Sequence, residues 1–233
     1  MNSPSNTQLP IEAGLAPNFN ALAPIYRWME LATFGPFLHR ARCAFLGELA
    51  QARQAIVLGD GDGRFTAALL RANPAVEIEA VDASSAMLRA LTRRACPPRR
   101  PGSNCARVRT HLADVRAWQP SSSTQAADLI VTHFFLDCLT TEEVEALAGK
   151  LHAGASPTAI WILSDFAIPQ GAFGRVIAAP IVSSLYIAFA WLTGLRVRRL
   201  PDHASALRRA GFTLRSRQTF LAGLLFSELW SAS

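Results

Sequence analysis

The chain has 233 residues, about half of them apolar, and a formal net charge of +6. This length and composition fit one domain that buries a full hydrophobic core. The positive charge does not by itself indicate a nucleic-acid partner, because every basic side chain except Lys150 is an arginine, as an arginine-biased genome would also produce. The four cysteines have no metal-ligand spacing, which argues against a metal site and indicates reduced thiols in the cytoplasm.

The first 53 residues precede any predicted strand. Residues 1–17 are polar, small and proline-containing without a secretory-signal pattern, so we expect a flexible arm. Apolar residues at helical spacing then predict one helix over residues 20–33 and a second from Pro36 to about Arg53. Residues 18–53 are therefore expected to form a helical cap.

Glycine alternates with aspartate directly after the first apolar run, which spans residues 55–58. The run predicts a buried strand, and the glycines predict a tight turn whose backbone a ligand can approach. A helix is expected from Arg64 to about Asn73. Because two carboxylates would repel a pyrophosphate, the turn favours a ligand with positive charge over a dinucleotide. The turn consists of Gly59, Asp60, Gly61, Asp62 and Gly63.

A second apolar run, over residues 76–81, ends in Asp82. This run predicts the next strand of a parallel sheet. An acidic residue at the end of that strand can accept hydrogen bonds from a ribose diol. Asp82 is therefore a candidate for nucleoside recognition.

These two stretches resemble motifs I and II of the class I S-adenosylmethionine-dependent methyltransferases, with motif I at residues 56–63 and motif II at Val81 and Asp82. The resemblance implies a Rossmann-like α/β fold, a seven-stranded and mostly parallel sheet with a C-terminal antiparallel hairpin and an N-terminal helical cap. It also implies S-adenosylmethionine as the cofactor. The family usually has an acidic residue two places before the first glycine, where this chain has Val57. Asp60 is the candidate substitute for that contact to the methionine end.

The resemblance also assigns a role to the strand predicted over residues 106–113. In the family an acidic residue after the third strand bonds the adenine amino group, so Asp114 is a second cofactor candidate. Helix capping is the alternative role for this side chain. The expected cofactor-binding residues are Gly59, Asp60, Gly61, Asp62, Gly63, Asp82, Ala83, Asp114, Val115 and His133.

The fourth predicted strand, residues 128–133, brings polar and aromatic side chains to the ligand edge of the sheet. His133 and Asp137 are the candidate catalytic residues, since an imidazole can remove a proton from an acceptor and a carboxylate can orient it. A structural histidine is the alternative for His133. The candidate acceptor-binding residues are Tyr26, Phe134, Asp165 and Tyr186.

Residues 176–195 form a long apolar stretch that Pro180 and two serines interrupt. We expect a buried or lid helix within residues 167–200 rather than a membrane span, although the stretch is long enough for one. A wall for an apolar acceptor is the functional alternative. The basic run at residues 196–199 suggests peripheral contact with anionic lipid.

A short helix capped by Asp202 and two strands, over residues 212–220 and 224–230, are expected to complete a single domain of residues 18–233 with its cofactor-binding core at 54–166. The expected activity is methyl transfer to a small apolar acceptor that is quinone-, phenol- or lipid-like. Arginine content suggests an RNA methyltransferase as the alternative, although the Asn/Asp-Pro-Pro-aromatic motif is absent. A non-catalytic cofactor-binding or membrane-associated protein is the third interpretation.

Overall fold

The computed structural model describes residues 34–97, 105–120, 126–172, 174–184 and 200–233. Seven strands within these residues form one sheet in the order β3-β2-β1-β4-β5-β7-β6. Strand β7 runs antiparallel to both of its neighbours, and β1 to β5 are parallel. This is the predicted fold. The strands are β1 Gln54–Leu58, β2 Glu77–Asp82, β3 Val108–Leu112, β4 Ala127–His133, β5 Ala155–Phe166, β6 Phe212–Phe220 and β7 Leu225–Ala232.

Helices cover both faces of the sheet, which is why the central strands are apolar along their whole length. One face packs Ile56 and Ile130 against the helix that follows β4, and the other packs Val57 and Val131 against the helix that follows β1. The described helices are α1 Phe37–Arg42, α2 Arg64–Ala72, α3 Ser85–Ala95, α4 Thr141–Gly154 and α5 His203–Arg209.

Side-chain caps begin three of these helices where the sequence predicts them. The hydroxyl of Ser84 accepts a hydrogen bond from the Met87 amide at 3.2 Å, and α3 follows. Thr140 and Glu143 form a reciprocal capping box at the start of α4. Asp202 accepts a bond from the Ser205 amide at 3.1 Å and begins α5. These caps fix where the chain turns back from the carboxyl edge of the sheet.

The second helix of the predicted cap is much shorter than expected. Instead of running from Pro36 to Arg53, it ends at Arg42, and a single 3₁₀ turn, Leu46–Leu49, follows. The side-chain amide of Asn73 donates to the carbonyls of Leu49 and Ala52 at 2.9 and 2.7 Å, which ties this segment to the end of α2. That anchor favours an irregular chain over a continuing helix. The first predicted cap helix and Tyr26 lie outside the described residues.

The apolar stretch after β5 is described as far as residue 184. It begins with one π-helical turn, Gly174–Ala178, and continues as helix. Ala178 and Val182 are buried against Leu38 and Leu225, so this part packs on the domain through one face, whereas Val176 and Ile177 are exposed. Among the described residues, none of the helices has the length and apolar character needed to cross a bilayer. Residues 185–199, including Tyr186, lie outside the description.

Candidate cofactor and acceptor site

The carboxyl ends of β1 and β4 lie side by side at the point where the strand order reverses. From β1 the chain proceeds to β2 and β3 on one side, whereas β4 and β5 lie on the other. Leu58 is paired with Thr132, so the next residues, Gly59 and His133, face each other across this gap. Ligands of open α/β sheets bind in the crevice at such a switch point.

The glycine turn is closely packed at both ends, against the Phe135 ring at Gly59 and against Leu91 at Gly63, and open in the middle. Gly63 has a φ of +79°, and a Cβ there would lie 2.7 Å from the Leu91 Cα on the neighbouring helix. Gly61 has a φ of +58°, but a Cβ there would meet only the Met87 sulfur, at 3.9 Å. The turn is therefore held by α3 at Gly63, while the backbone at Gly61 stays accessible to a ligand.

Both carboxylates of the glycine turn are already engaged within the protein. Buried Asp60 accepts hydrogen bonds from the Thr66 amide and hydroxyl at 2.8 and 2.7 Å, which caps α2. Asp62 pairs with Arg94 at 2.8 Å and with Arg64 at 3.2 Å. These contacts hold Asp60 against the first turn of α2, and its role as the substitute for the acid missing at Val57 stays a prediction.

Asp82 stands at the end of β2 beside the open part of the glycine turn. Its carboxylate accepts a hydrogen bond from the Ser84 amide at 2.7 Å. Burial raises the pKa of Asp82 to about 6, and the nearby Asp60 charge adds to this shift. The next residue, Ala83, is exposed on the same edge. A partly buried carboxylate with spare lone pairs fits a ribose diol.

The loop after β3 contains Asp114 and is fastened by two cations. Arg116 bridges Asp114 and Glu143, with its shortest contact, 2.6 Å, to Glu143. The ammonium of Lys150 donates to three carbonyls of the same loop, those of Val115, Arg116 and Trp118, at 3.4, 3.2 and 2.7 Å. The Val115 side chain is buried in the core, so only its backbone can face a cofactor. No sequence signal marked Lys150 for this role.

His133 is enclosed rather than open to an acceptor. Only 3% of its surface is exposed, and Phe65 of α2 meets its ring edge-on at 4.5 Å between centroids. Its Nδ1 lies 3.0 Å from the Ser164 hydroxyl. Burial lowers the pKa of His133 well below its ordinary value, and the charge of Arg42 lowers it further. A desolvated imidazole beside an arginine is a poor proton acceptor, which argues against the predicted role of general base.

Asp137 and Asp165 form a pair of carboxyl groups beyond the ends of β4 and β5. Asp165 is 4% exposed and accepts a hydrogen bond from the Asp137 amide at 3.1 Å. Burial, followed by repulsion from Asp137, raises the pKa of Asp165 well above its usual range. Burial also raises the pKa of half-buried Asp137 to about 6. One proton held near neutral pH at this position can take part in proton transfer.

Aromatic rings surround the other side of the same edge. Phe166 lies between Phe34 and Phe134, with ring centroids 5.3 and 5.2 Å away. Phe134, the residue after β4, has a φ of +54°, which is a strained conformation for an aromatic residue. We call Phe34, Phe134 and Phe166 the aromatic cluster. It packs against Leu38 of α1 and against the helix after β5.

The residues at the switch point fit S-adenosylmethionine. The open backbone at Gly61 and the carboxylate of Asp82 suit the adenosine part, and the loop of Asp114 lies beyond β3 on the same edge. The Nε2 atom of His133 is buried and has no hydrogen-bond partner among the described residues, as expected of an atom awaiting a ligand. The described residues contain no group of three or more His, Cys, Asp or Glu arranged for a metal ion.

Comparison with known proteins gives the same classification. A family profile described as "Methyltransferase domain" matches residues 55–157. An O-methyltransferase family protein from Burkholderia thailandensis superposes with a TM-score of 0.65 at 16% identity, covering 91% of this chain and 59% of that one. Mitomycin 7-O-methyltransferase superposes with a TM-score of 0.67 at 16% identity, covering 93% and 61%. No curated protein gives a significant sequence match.

A further structural neighbour is an O-methyltransferase from Nostoc punctiforme PCC 73102 whose assignment is itself provisional. It has a TM-score of 0.68 at 17% identity, and the match covers 94% of this chain and 63% of that one. The chain thus spans about three fifths of the length of these structures. At such low identity they establish the shared fold, and the profile adds the domain family. The profile thus identifies a methyltransferase domain over residues 55–157, and the sheet has the fold of the class I S-adenosylmethionine-dependent methyltransferases that it superposes on.

Proposed function

We propose that this chain transfers the methyl group of S-adenosylmethionine to a small apolar acceptor of phenol-, quinone- or lipid-like chemistry. The observation that carries this proposal is the aromatic cluster at the carboxyl ends of β4 and β5. Phe34 is buried, and the half-buried rings of Phe134 and Phe166, beside leucine and valine side chains, offer a flat apolar molecule a surface for stacking. Two neighbours of the same fold carry the name O-methyltransferase, which supports an oxygen acceptor.

The cofactor supplies an electrophilic methyl group, so the protein chiefly has to align the acceptor and exclude water. The aromatic cluster holds the acceptor plane. Asp137, whose pKa is raised by burial to about 6, removes the proton from the acceptor hydroxyl. Asp165 holds the turn that carries Asp137 through the 3.1 Å bond to its amide. The expected role of Asp165 in contacting the acceptor directly is replaced by this supporting role.

Incubation with S-adenosylmethionine labelled in its methyl group tests the proposal. Separate pools of simple phenols, quinols, a lipid extract and total RNA serve as acceptors. Label is expected in phenols, quinols or lipid, and Phe166→Ala should raise KM for the acceptor several-fold without changing cofactor affinity. Asp137→Asn should lower kcat with little change in KM. Label that enters only RNA, or cofactor binding without turnover in any pool, would overturn the proposal.

RNA as the acceptor has one supporting observation. Arg89 and Arg93 of α3 flank a groove of about 380 Å³ that Thr92 and Thr110 also line. Exposed arginines beside a groove suit a phosphate backbone. This groove lies between α3 and the edge strand β3, whereas the aromatic cluster follows β4 and β5. The RNA pool in the labelling experiment decides between the two acceptors.

We propose a cytoplasmic site of action. All four cysteines are free thiols, and this supports a reducing compartment. Contact with a membrane surface remains part of the proposal through the basic run at residues 196–199. Sedimentation of the protein with anionic vesicles at low salt, against neutral vesicles, tests that contact.

A further inference from the structure

A continuous hydrogen-bonded chain runs from His133 to the backbone of α1. Ring atom Nδ1 of His133 lies 3.0 Å from the Ser164 hydroxyl, which lies 2.7 Å from the Ser227 hydroxyl. Ser227 donates to the Ala41 carbonyl at 2.6 Å. All three side chains are at least 97% buried. The chain therefore joins β4, β5, β7 and α1 without exchange with water.

The number of protons in this chain determines the tautomer of His133. The Ala41 carbonyl lies 2.6 Å from the Ser227 hydroxyl and 3.1 Å from the Ser164 hydroxyl, so one serine proton goes to this carbonyl and the other fills the 2.7 Å contact between the two hydroxyls. Ser164 then has none left for the imidazole and accepts one from Nδ1 instead. Nε2 consequently carries a lone pair and no proton. Since burial and the charge of Arg42 lower the pKa of His133, the ring stays neutral.

This lone pair needs a hydrogen-bond donor from outside the described residues. A buried acceptor without a partner costs free energy that a bound ligand recovers. Nε2 belongs to the residue that faces Gly59 across the switch point, so a ligand in the crevice lies within its neighbourhood.

Arg42 adds a positive charge to the same place. It is the last residue of α1 and is 6% exposed, and its guanidinium carbon lies 5.0 Å from the centre of the Phe134 ring. Its charge acts on both Asp60 and His133, which places it between the glycine turn and the end of β4. A buried guanidinium is a strong partner for a carboxylate.

We propose that Arg42 and His133 bind the zwitterionic α-amino-acid end of S-adenosylmethionine, with the carboxylate on the guanidinium of Arg42 and the ammonium donating to Nε2 of His133. The neutral imidazole of His133 can accept a hydrogen bond from the ammonium group, and the guanidinium of Arg42 can pair with the carboxylate. A protonated histidine would repel the ammonium group. The pair thus supplies a methionine contact that Val57, an apolar residue, cannot make.

Two ligands that differ only at the amino-acid end test this assignment by calorimetry. S-adenosylhomocysteine has the amino acid, whereas 5′-methylthioadenosine lacks it. Arg42→Met should weaken binding of S-adenosylhomocysteine about tenfold to a hundredfold, as expected for a lost charged hydrogen bond, and leave methylthioadenosine unchanged within about twofold. Arg40→Met on the exposed side of α1 is the matched control and should change neither. Equal losses for both ligands, or no loss with Arg42→Met, would overturn the proposal.

His133→Phe should give the same ligand-selective loss, and nitrogen NMR of the wild-type ring covers the case in which that variant does not fold. In the free protein Nε2 should resonate as a bare lone-pair nitrogen, and S-adenosylhomocysteine but not methylthioadenosine should shift it towards a hydrogen-bonded value. A protonated Nε2 in the free protein would contradict the assignment. The proposal rests on the same cofactor as the proposed function but not on the acceptor, so failure to find an acceptor leaves these binding results intact.

Discussion

The two halves of the carboxyl edge hold their acidic side chains in different ways. In the cofactor half, which comprises the loops after β1, β2 and β3, backbone amides or arginines already bind Asp60, Asp62 and Asp114. In the acceptor half, the turns after β4 and β5, Asp137 and Asp165 repel each other in a buried position. In the cofactor half, these bound carboxylates hold the loops in place around the ligand site. The acceptor half retains a pair of carboxyl groups whose burial and mutual repulsion are destabilising, at the position where we propose proton transfer. Such pairs are typical of functional sites.

The largest expected effect is a loss of stability from substitutions in the glycine turn of the cofactor half. Gly63→Ala should cost roughly 2–5 kcal/mol of unfolding free energy, because its positive φ and the close approach of Leu91 both oppose a side chain. Gly61→Ala has the same φ problem without the close contact and should cost about 1–2 kcal/mol. Urea unfolding of the ligand-free variants measures both. Equal costs would show that α3 does not hold the turn.

The carboxyl group of Asp82 should make the stability of the folded protein depend on pH. Its pKa of about 6 lies above the ordinary value of 3.8, so the folded protein holds a proton that the unfolded chain releases. Stability should therefore fall as pH rises from about 4 to about 6 and stay level above that. Asp82→Asn removes the buried charge and should stabilise the ligand-free protein at pH 7.5 by roughly 2 kcal/mol.

The Asp82→Asn substitution should weaken the binding of S-adenosylhomocysteine about tenfold or more. A carboxylate can accept hydrogen bonds from both ribose hydroxyls, whereas an amide has only one oxygen for them. Denaturant unfolding and calorimetry across the pH range give the two measurements. Asp137 has a similar pKa and contributes a slope of the same sign, so Asp137→Asn is the control for the acceptor half. An Asp82→Asn variant that is less stable than the wild type and binds S-adenosylhomocysteine equally well would contradict the distinction between the two halves.

Lys150 offers a smaller effect on the loop of Asp114. Lys150→Met removes the donor to three carbonyls and should cost about 1–2 kcal/mol of stability, with a few-fold loss of cofactor affinity. Lys150→Arg retains donors and a positive charge and should recover most of both losses. Thermal unfolding with and without S-adenosylhomocysteine separates the two effects. An unchanged affinity in the Met variant would mean that the loop is ordered without this anchor.

Substitution of Asp62 should have the smallest effect on stability, and it tests directly whether the carboxylates of the glycine turn contact the cofactor. Because its partners Arg64 and Arg94 are partly exposed, Asp62→Asn should cost less than about 1 kcal/mol. Cofactor affinity should stay within about twofold. Asp60→Ala, which removes the cap of α2, should cost about 1–2 kcal/mol in the same unfolding experiment. A tenfold loss of affinity for Asp62→Asn would place that carboxylate on the ligand after all.

Most of the cofactor half could be predicted from sequence because its signals are local. The glycine turn and the cap at Ser84 each depend on residues within a few positions of one another, as does the capping box at Thr140 in the acceptor half. The seven-stranded, mostly parallel sheet with its C-terminal antiparallel hairpin followed from the resemblance. The helix predicted as far as Arg53 was wrong because a distant side chain, Asn73, holds that segment.

The interior of the site could not be predicted in the same way. His133 was identified by its position at a strand end, but its neutral state depends on Ser164, Ser227 and Arg42, which come from other elements. The carbonyl of Ala41 and the hydroxyl of Ser227 are 186 residues apart in the chain. Such contacts leave no periodicity or spacing in a single sequence. The partners of Asp60 and Asp62 within the protein were missed for the same reason, since composition does not show which charges are already paired.

Strand β7 has a consequence for how the protein is made. It is inserted between β5 and β6, and residues 225–231 pair with residues 160–166 of β5. While the ribosome adds the intervening segment, β5 has no neighbour on that side, and an open apolar strand edge is a template for aggregation. We expect refolding to be slow and concentration-sensitive until β7 is in place, since the sheet closes through contacts distant in sequence. Chaperones that shield strand edges should raise the yield of folded protein.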